Sequence, residues 1–180
     1  MRVLLHVCCG PCTIYPLTVL REEGASVTGH FLNPNIHPFK EFQRRLSTLE
    51  DYAAESKLPL IIEKKYGLTD FVRRVAFYEQ QRCSICYRMR LEKTASLARE
   101  NGFDAFTTTL LYSKYQGHSQ IIALCEQLAQ QYNVLFYYKD FREGWQYGID
   151  ISKEREMYRQ PYCGCVYSEQ ERYDKSLRKG

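Results

Sequence analysis

"RVLLHVCCGPCT", residues 2–13, decides the fold. After Arg2 the run is uncharged and largely apolar up to Val7, the signature of a strand buried on both faces. It stops at three cysteines within five residues, Cys8, Cys9 and Cys12. A helical pattern then covers 13–23 and ends at Gly24. A strand followed by a helix is the opening of a crossover unit between parallel strands.

Working outward, the alternation continues. "SVTGHFL" (26–32) reads as a second strand, "NPNIHP" (33–38) as a turn, and "FKEFQRRLSTLEDYAAES" (39–56) has apolar positions at helical spacing. "PLIIEKK" (59–65) is a third strand. Helical stretches at 68–78 and 84–101 flank "QQRCSIC" (80–86). "AFTTTLL" (105–111) is a fourth strand running into a polar loop, 119–131 a helix, and "NVLFYYK" (133–139) a fifth strand. Residues 140–180 read as loop and short helix and include "YCGCVYS" (162–168). The expected fold is α/β: a doubly wound, three-layer α/β/α domain over residues 1–180 with a mostly parallel five-stranded sheet. In such a sheet the loops after the strands carry function, so 8–13, 33–38 and 112–119 are expected on one edge.

A chain of 180 residues suits one domain with a sizeable core. Hydrophobic residues make up 44% and charged residues 26%, well mixed, which excludes a disordered chain. The apolar run Val3–Val7 is too short for a secretion signal or a membrane span, so the expected location is the cytoplasm, with no membrane partner. In that reducing compartment eight cysteines point to metal binding or catalysis rather than structural disulfides. A net charge of +4 permits an anionic partner without demanding one.

The cysteines fall into groups. Cys8, Cys9 and Cys12 sit where a strand gives way to a helix, and the amides and dipole of a helix start favour thiolate, the form that binds metal. Cys9-Gly10-Pro11-Cys12 also matches the redox tetrapeptide of thioredoxins, but that signature follows an aromatic residue on a later strand. Cys83 and Cys86 form a C-x2-C pair entering a helix, with Arg82, Arg88 and Arg90 nearby. Alone the pair suits zinc, iron–sulfur or redox use. With Cys8 and Cys9 it makes four thiolates, enough for tetrahedral zinc or a cubane cluster. The vicinal Cys8–Cys9 pair is a poor zinc knuckle, which favours iron–sulfur. Cys163 and Cys165 flank Gly164, where a disulfide would close a small strained ring, easily reduced, and the same pair can instead chelate one metal ion. Cys125, inside "IIALCEQLA", falls on the apolar face of a helix and reads as core.

Polar and aromatic residues cluster in the loops. Asn33, Asn35 and His37 lie in the proline-rich turn. Tyr112, Ser113, Lys114, Tyr115 and His118 precede a helix, a setting that suits anion binding or a plain N-cap. Asp140, Arg142, Trp145 and Tyr147 mix aromatic and basic side chains, as an unstacked nucleotide requires. His6 alternates on a buried strand and reads as a core histidine.

"LLHVCCGPC", "NPNIHPFKEFQRR", "RCSICYRMRLEKTA", "TTTLLYSKYQGH", "KDFREGW" and "YRQPYCGCVYS" together resemble the cobalamin-independent epoxyqueuosine reductase family, from about residue 4 to residue 168. The resemblance implies a fold similar to the PP-loop and adenine-nucleotide-hydrolase group. It implies reduction of the epoxide of epoxyqueuosine at the wobble position of tRNA to the cyclopentene of queuosine, with tRNA and an electron donor as partners. It implies a 4Fe-4S cluster on Cys8, Cys9, Cys83 and Cys86. Cys163 and Cys165 become either a redox-active pair or ligands of an additional adjacent iron, and Cys12 is free to join either arrangement. Tyr112, His118 or a thiol would supply protons. Three rivals stand beside it. An ATP-dependent tRNA-thiolation enzyme would need the S-G-G-x-D-S loop that residues 8–13 lack. A zinc-stabilised RNA-binding module would be colourless and carry no sulfide, and a plain thiol oxidoreductase would work without metal.

Overall fold

The computed structural model describes residues 1–177. Strands β1 (Arg2–His6), β2 (Ser26–Phe31), β3 (Leu60–Ile62), β4 (Ala105–Thr108) and β5 (Leu135–Phe136) form one sheet in the order β3-β2-β1-β4-β5. Every neighbouring pair is parallel. The central strand has solvent on neither side. Val3, Leu4 and Leu5 are fully buried, which is why β1 carries no alternation of polar and apolar residues.

The chain winds outward from β1 through β2 to β3, then returns to the other side of β1 for β4 and β5. Right-handed crossovers therefore put the first helices on one face and the later ones on the other. Helices α1 (Gly10–Glu22) and α2 (Phe39–Ser56) pack together on the first face. On the second face lie α4 (Arg82–Glu100) and α5 (His118–Tyr132), with α3 (Leu68–Val75) leaning on α4. Helix α6 (Trp145–Glu154) packs on α1, and α7 (Val166–Tyr173) follows the last cysteine pair. This is the doubly wound α/β/α arrangement expected from the alternation of strands and helices.

Several boundaries differ from the sequence reading, for local reasons. Helix α1 starts at Gly10 rather than residue 13, because Pro11 fits the first turn, where no amide hydrogen is needed. Cys12 thus lies within the helix, not before it. Strand β4 stops at Thr108, whose Oγ1 accepts from the Leu110 amide at 3.1 Å and coils Thr109–Tyr112 into a 3-10 turn. Strand β5 shrinks to two residues because α5 runs on to Tyr132 and ends at Asn133 in the left-handed conformation (φ 49°). Helix α2 has the limits its periodicity predicts. No helix among the described residues is long and apolar enough to cross a membrane.

Because all five strands are parallel, their carboxyl ends share one edge. The loops there are stitched to one another. The Cys8 amide donates to Thr109 Oγ1 at 3.2 Å, and Asn33 Nδ2 donates to the Val7 carbonyl at 2.9 Å. The segments that leave β1, β2 and β4 thus lie side by side.

Candidate functional site

The site begins at the turn leaving β1. Cys9 is the N-cap of α1, in extended conformation (φ −171°, ψ 165°), with no side-chain cap of its own. Thr13 Oγ1 donates to the Cys9 carbonyl at 2.7 Å and tightens the first turn. Pro16 has no amide hydrogen to give the carbonyl of Cys12. The Sγ atoms of Cys8, Cys9 and Cys12 all lie within 4.8 Å of one another, with Cys8 and Cys9 3.8 Å apart. Among the described residues this is the one group of three or more cysteine, histidine or acidic side chains drawn so close.

Polar donors are aimed at these sulfurs. Gln160 Nε2 donates to Cys9 Sγ at 3.0 Å and to Cys12 Sγ at 3.3 Å. Thr109 Oγ1 donates to Cys8 Sγ at 3.3 Å. Cys9 and Cys12 are buried and Cys8 is half-buried, and the three thiols differ in acidity. Hydrogen bonds from Cys12, Cys9 and Thr109 hold Cys8 well below the usual thiol range despite its burial. Burial pushes the Cys9 thiol up. Hydrogen bonding to Cys8 and Cys9, with burial, pushes Cys12 up.

Four of the other five cysteines form a second group across the same edge. Cys83 and Cys86 lie in the first turns of α4. Cys86 and Cys165 pack with Phe71 and Val75 in a small apolar cluster of their own. Cys83 and Cys163 are exposed. Burial, against the nearby Arg90, pushes Cys86 up to about 12, and it also raises Cys83. The thiols of Cys83 and Cys86 each feel the charges of Cys163 and Cys165. Cys83 and Cys86 do not enter the 4.8 Å group of Cys8, Cys9 and Cys12.

The Cys163–Cys165 loop is held from several sides. Gln116 Nε2 donates to Cys163 Sγ at 3.2 Å, and Tyr87 Oη donates to Gln116 Oε1 at 2.9 Å. The His37 amide donates to the Gly164 carbonyl at 2.8 Å, so the proline-rich turn braces the loop. Arg45 Nη1 and Nη2 donate to the carbonyls of Cys163 and Tyr162 at 2.8 and 2.9 Å. The Cys165 Sγ accepts from the Ser168 amide at 3.4 Å and caps α7.

Tyr112 is buried at the border of the first group. Burial, Cys12 and Cys9 raise its pKa, and its hydroxyl proton is already given to the Trp145 carbonyl at 3.0 Å. Its ring leans on Trp145 (5.2 Å between centroids), which also meets Tyr115 at 5.7 Å and lies under the Lys114 ammonium at 5.8 Å. Tyr115 is 85% exposed, so this aromatic and cationic platform faces outward. His118 opens α5, with Nε2 3.3 Å from Tyr138 Oη, and burial with the Arg142 charge lowers its pKa. Its ring contacts are with Tyr138, not with a thiol. Cys125 is fully buried in the core, as the sequence indicates. His6 is a satisfied core histidine, bonded to Thr108 Oγ1 and the Leu32 carbonyl.

Sequence reasoning missed Arg45, Gln116 and Gln160, and noted Arg90 only as a neighbour of the Cys83–Cys86 pair. A signal existed for the two arginines. Arg45 falls on the apolar stripe of Phe42, Leu46 and Leu49, and Arg90 on that of Tyr87, Leu91 and Thr94, places where a charge needs a reason. Nothing local marks the glutamines.

Comparison with known proteins points one way. The sequence model of a family described as epoxyqueuosine reductase QueH matches residues 3–171. The chain is 40% identical over 174 residues to an epoxyqueuosine reductase QueH of Dehalococcoides mccartyi, covering 97% of this chain and 96% of that protein. It is 35% identical to one of Thermotoga maritima, covering 96% and 93%. Among solved structures, a predicted subunit of a tRNA methyltransferase from Methanocaldococcus jannaschii shares the fold, with a TM-score of 0.56 at 12% identity, over 86% of this chain and 75% of that one.

Proposed function

The chain belongs to the epoxyqueuosine reductase QueH family, and from that premise we propose that its reduction of the epoxide of tRNA-bound epoxyqueuosine takes place at an iron–sulfur centre held by its cysteines. Both C–O bonds of the epoxide break and a C=C bond forms. Two electrons and two protons carry the oxygen away as water.

The donor set fits such a group. Seven sulfurs border one sheet edge, and soft thiolates select iron–sulfur clusters and zinc over hard cations. The proposed ligands of a 4Fe-4S cluster are Cys8 and Cys9 from the β1 turn and Cys83 and Cys86 from the start of α4. Cys163 and Cys165 serve as a redox pair or hold an additional iron, and Cys12 joins either. The turn after β2 supports a shared space between the two groups, since Asn33 Nδ2 donates to the Val7 carbonyl beside Cys8 and the His37 amide donates to the Gly164 carbonyl. When bound, the cluster supplies electrons one at a time, and an adjacent iron supplies a Lewis acid for the epoxide oxygen.

The chain's own residues position the rest. Gln160 and Thr109 orient the sulfurs of the first group. Gln116 and Arg45 fix the Cys163–Cys165 loop. Tyr115, Trp145 and Lys114 offer a stacking wall and a cation to an unstacked base and its phosphate. For protons we propose Tyr112, His118 or the exposed Cys163 thiol. Tyr112 borders Cys9 and Cys12, so a proton leaving its Oη toward substrate must first give up the Trp145 carbonyl.

The observation that carries this reading is the convergence of three sulfurs within 4.8 Å at the strand end of a reductase-family chain. The test is metal and sulfide analysis of anaerobically purified protein, with nucleoside analysis of epoxyqueuosine-containing tRNA after incubation with a chemical reductant. About four iron and four sulfide per chain, with queuosine formed, is the expected result. Stoichiometric zinc without sulfide overturns it.

A further inference from the structure

Two arginines are buried at this site, and only one has its charge answered. Arg45 is 1% exposed and paired with Glu41 at 2.7 Å, and its two remaining nitrogens donate to backbone carbonyls. Arg90 is 2% exposed. Its Nε donates to the Cys86 carbonyl at 3.2 Å, but its Nη2 is buried with no hydrogen-bond partner among the described residues. No ion pair joins it to a carboxylate there. Its Cζ lies 5.9 Å from the centroid of the Tyr87 ring, and Cys86, Cys163 and Cys8 are the thiols whose negative charge would favour its own. His6, also close, is kept neutral by burial and by Arg90 itself.

A buried guanidinium with no counter-charge is strongly unfavourable, so the position calls for an anion. A thiolate-ligated iron–sulfur cluster is one. We propose that Arg90 is a positioning residue for that centre: its guanidinium supplies the buried counter-charge, and its free Nη2 donates to a sulfur of the cluster or its ligands. The inference rests on the iron–sulfur reading above. Its consequence is a raised reduction potential. Reduction adds a negative charge, which a fixed cation in a low-dielectric surrounding stabilises, and hydrogen bonds to sulfur act in the same sense. The choice of arginine follows from its shape. With Nε pinned to the Cys86 carbonyl, the planar fork carries Nη2 to a set place, which a lysine ammonium cannot do.

The test is a reductive titration of the cluster-loaded full chain, read by visible absorption and EPR, for the parent, R90K and R90Q. R90Q is expected to lower the reduced-to-oxidised ratio at a given potential about tenfold, which is ~59 mV for one electron. R90K keeps the charge and loses the fork, so its midpoint falls by less. If R90Q retains no cluster, R90K decides, and a midpoint equal to the parent's overturns the proposal. Unmoved midpoints in both variants, at parental iron and sulfide content, likewise overturn it and leave the cluster reading standing. A parent without iron and sulfide overturns the cluster reading itself.

Discussion

Arg45, on the helix after β2, donates from Nη1 to the carbonyl of Cys163 at 2.8 Å across 118 residues of chain. One buried side chain thus ties the second crossover unit to the last cysteine pair. Its charge is answered by Glu41, also buried, so the strap is an ion pair as well as a set of hydrogen bonds.

Truncating it has two consequences. Arg45→Ala leaves the Glu41 carboxylate buried without its partner and should cost about 3 kcal/mol, measured by urea unfolding. It also frees the Cys163–Cys165 loop, so alkylation of Cys163 should quicken. Unchanged alkylation would show that the loop is held by its other contacts alone.

Gly164 sits at φ +152°, where side chains rarely go, and an added Cβ would stand 3.1 Å from Asn35 Nδ2 and 3.4 Å from Arg45 Nη1. Gly164→Ala should destabilise by about 2 kcal/mol. It should also lower queuosine formation while iron content stays at the parental level. Normal turnover would remove the loop's geometry from the mechanism.

Gln160 gives its amide hydrogens to two sulfurs. Gln160→Leu keeps the bulk and removes both donors. Outer partners of metal ligands typically contribute about 10–100-fold in affinity, so the variant should lose iron to a chelator correspondingly more readily. Equal retention would show that these hydrogen bonds belong only to the metal-free protein.

Cys83→Ser should abolish the visible chromophore and turnover. Cys125→Ser, buried in α5, should keep both and lose about 1–2 kcal/mol for a hydroxyl in an apolar place. Loss of the chromophore in the Cys125 variant would contradict the ligand assignment.

Stability should fall on the acid side. Burial lowers the pKa of His30 against the raising effect of Glu63, and burial also lowers that of His37. Between these lowered values and about 6.5 the unfolded chain binds protons that the folded chain refuses. Stability is therefore full above about pH 6.5 and is lost as pH falls below it. His30→Gln should flatten that loss in unfolding midpoints taken between pH 7.5 and 5.5, values set by the same range. A slope equal to the parent's would assign the acid effect to other groups.

Much of this protein is legible along the chain. The uncharged run of β1, the alternation that follows it, and the periodicity of 39–56 are properties of neighbouring residues, and they dictate a doubly wound parallel sheet. Cysteine spacing belongs to the same level: Cys8, Cys9 and Cys12 are close in sequence and close in space. Element ends were less legible, because a proline in a first turn or a threonine cap shifts them by a few residues.

The partners of the cysteines were decided by the tertiary structure alone. Gln160 reaches Cys9 over 151 residues, Gln116 reaches Cys163 over 47, and Arg45 reaches the Cys163 carbonyl over 118. No local pattern encodes such pairings, since they exist only once parallel strands have brought their carboxyl ends to one edge. Burial then does the rest. It turns an arginine on an apolar helix stripe into a charge in want of an anion, and it pushes the Cys9 thiol up while hydrogen bonds hold Cys8 down. Sequence determined the sheet and the stock of sulfurs; desolvation in the folded chain determined what each of them can do.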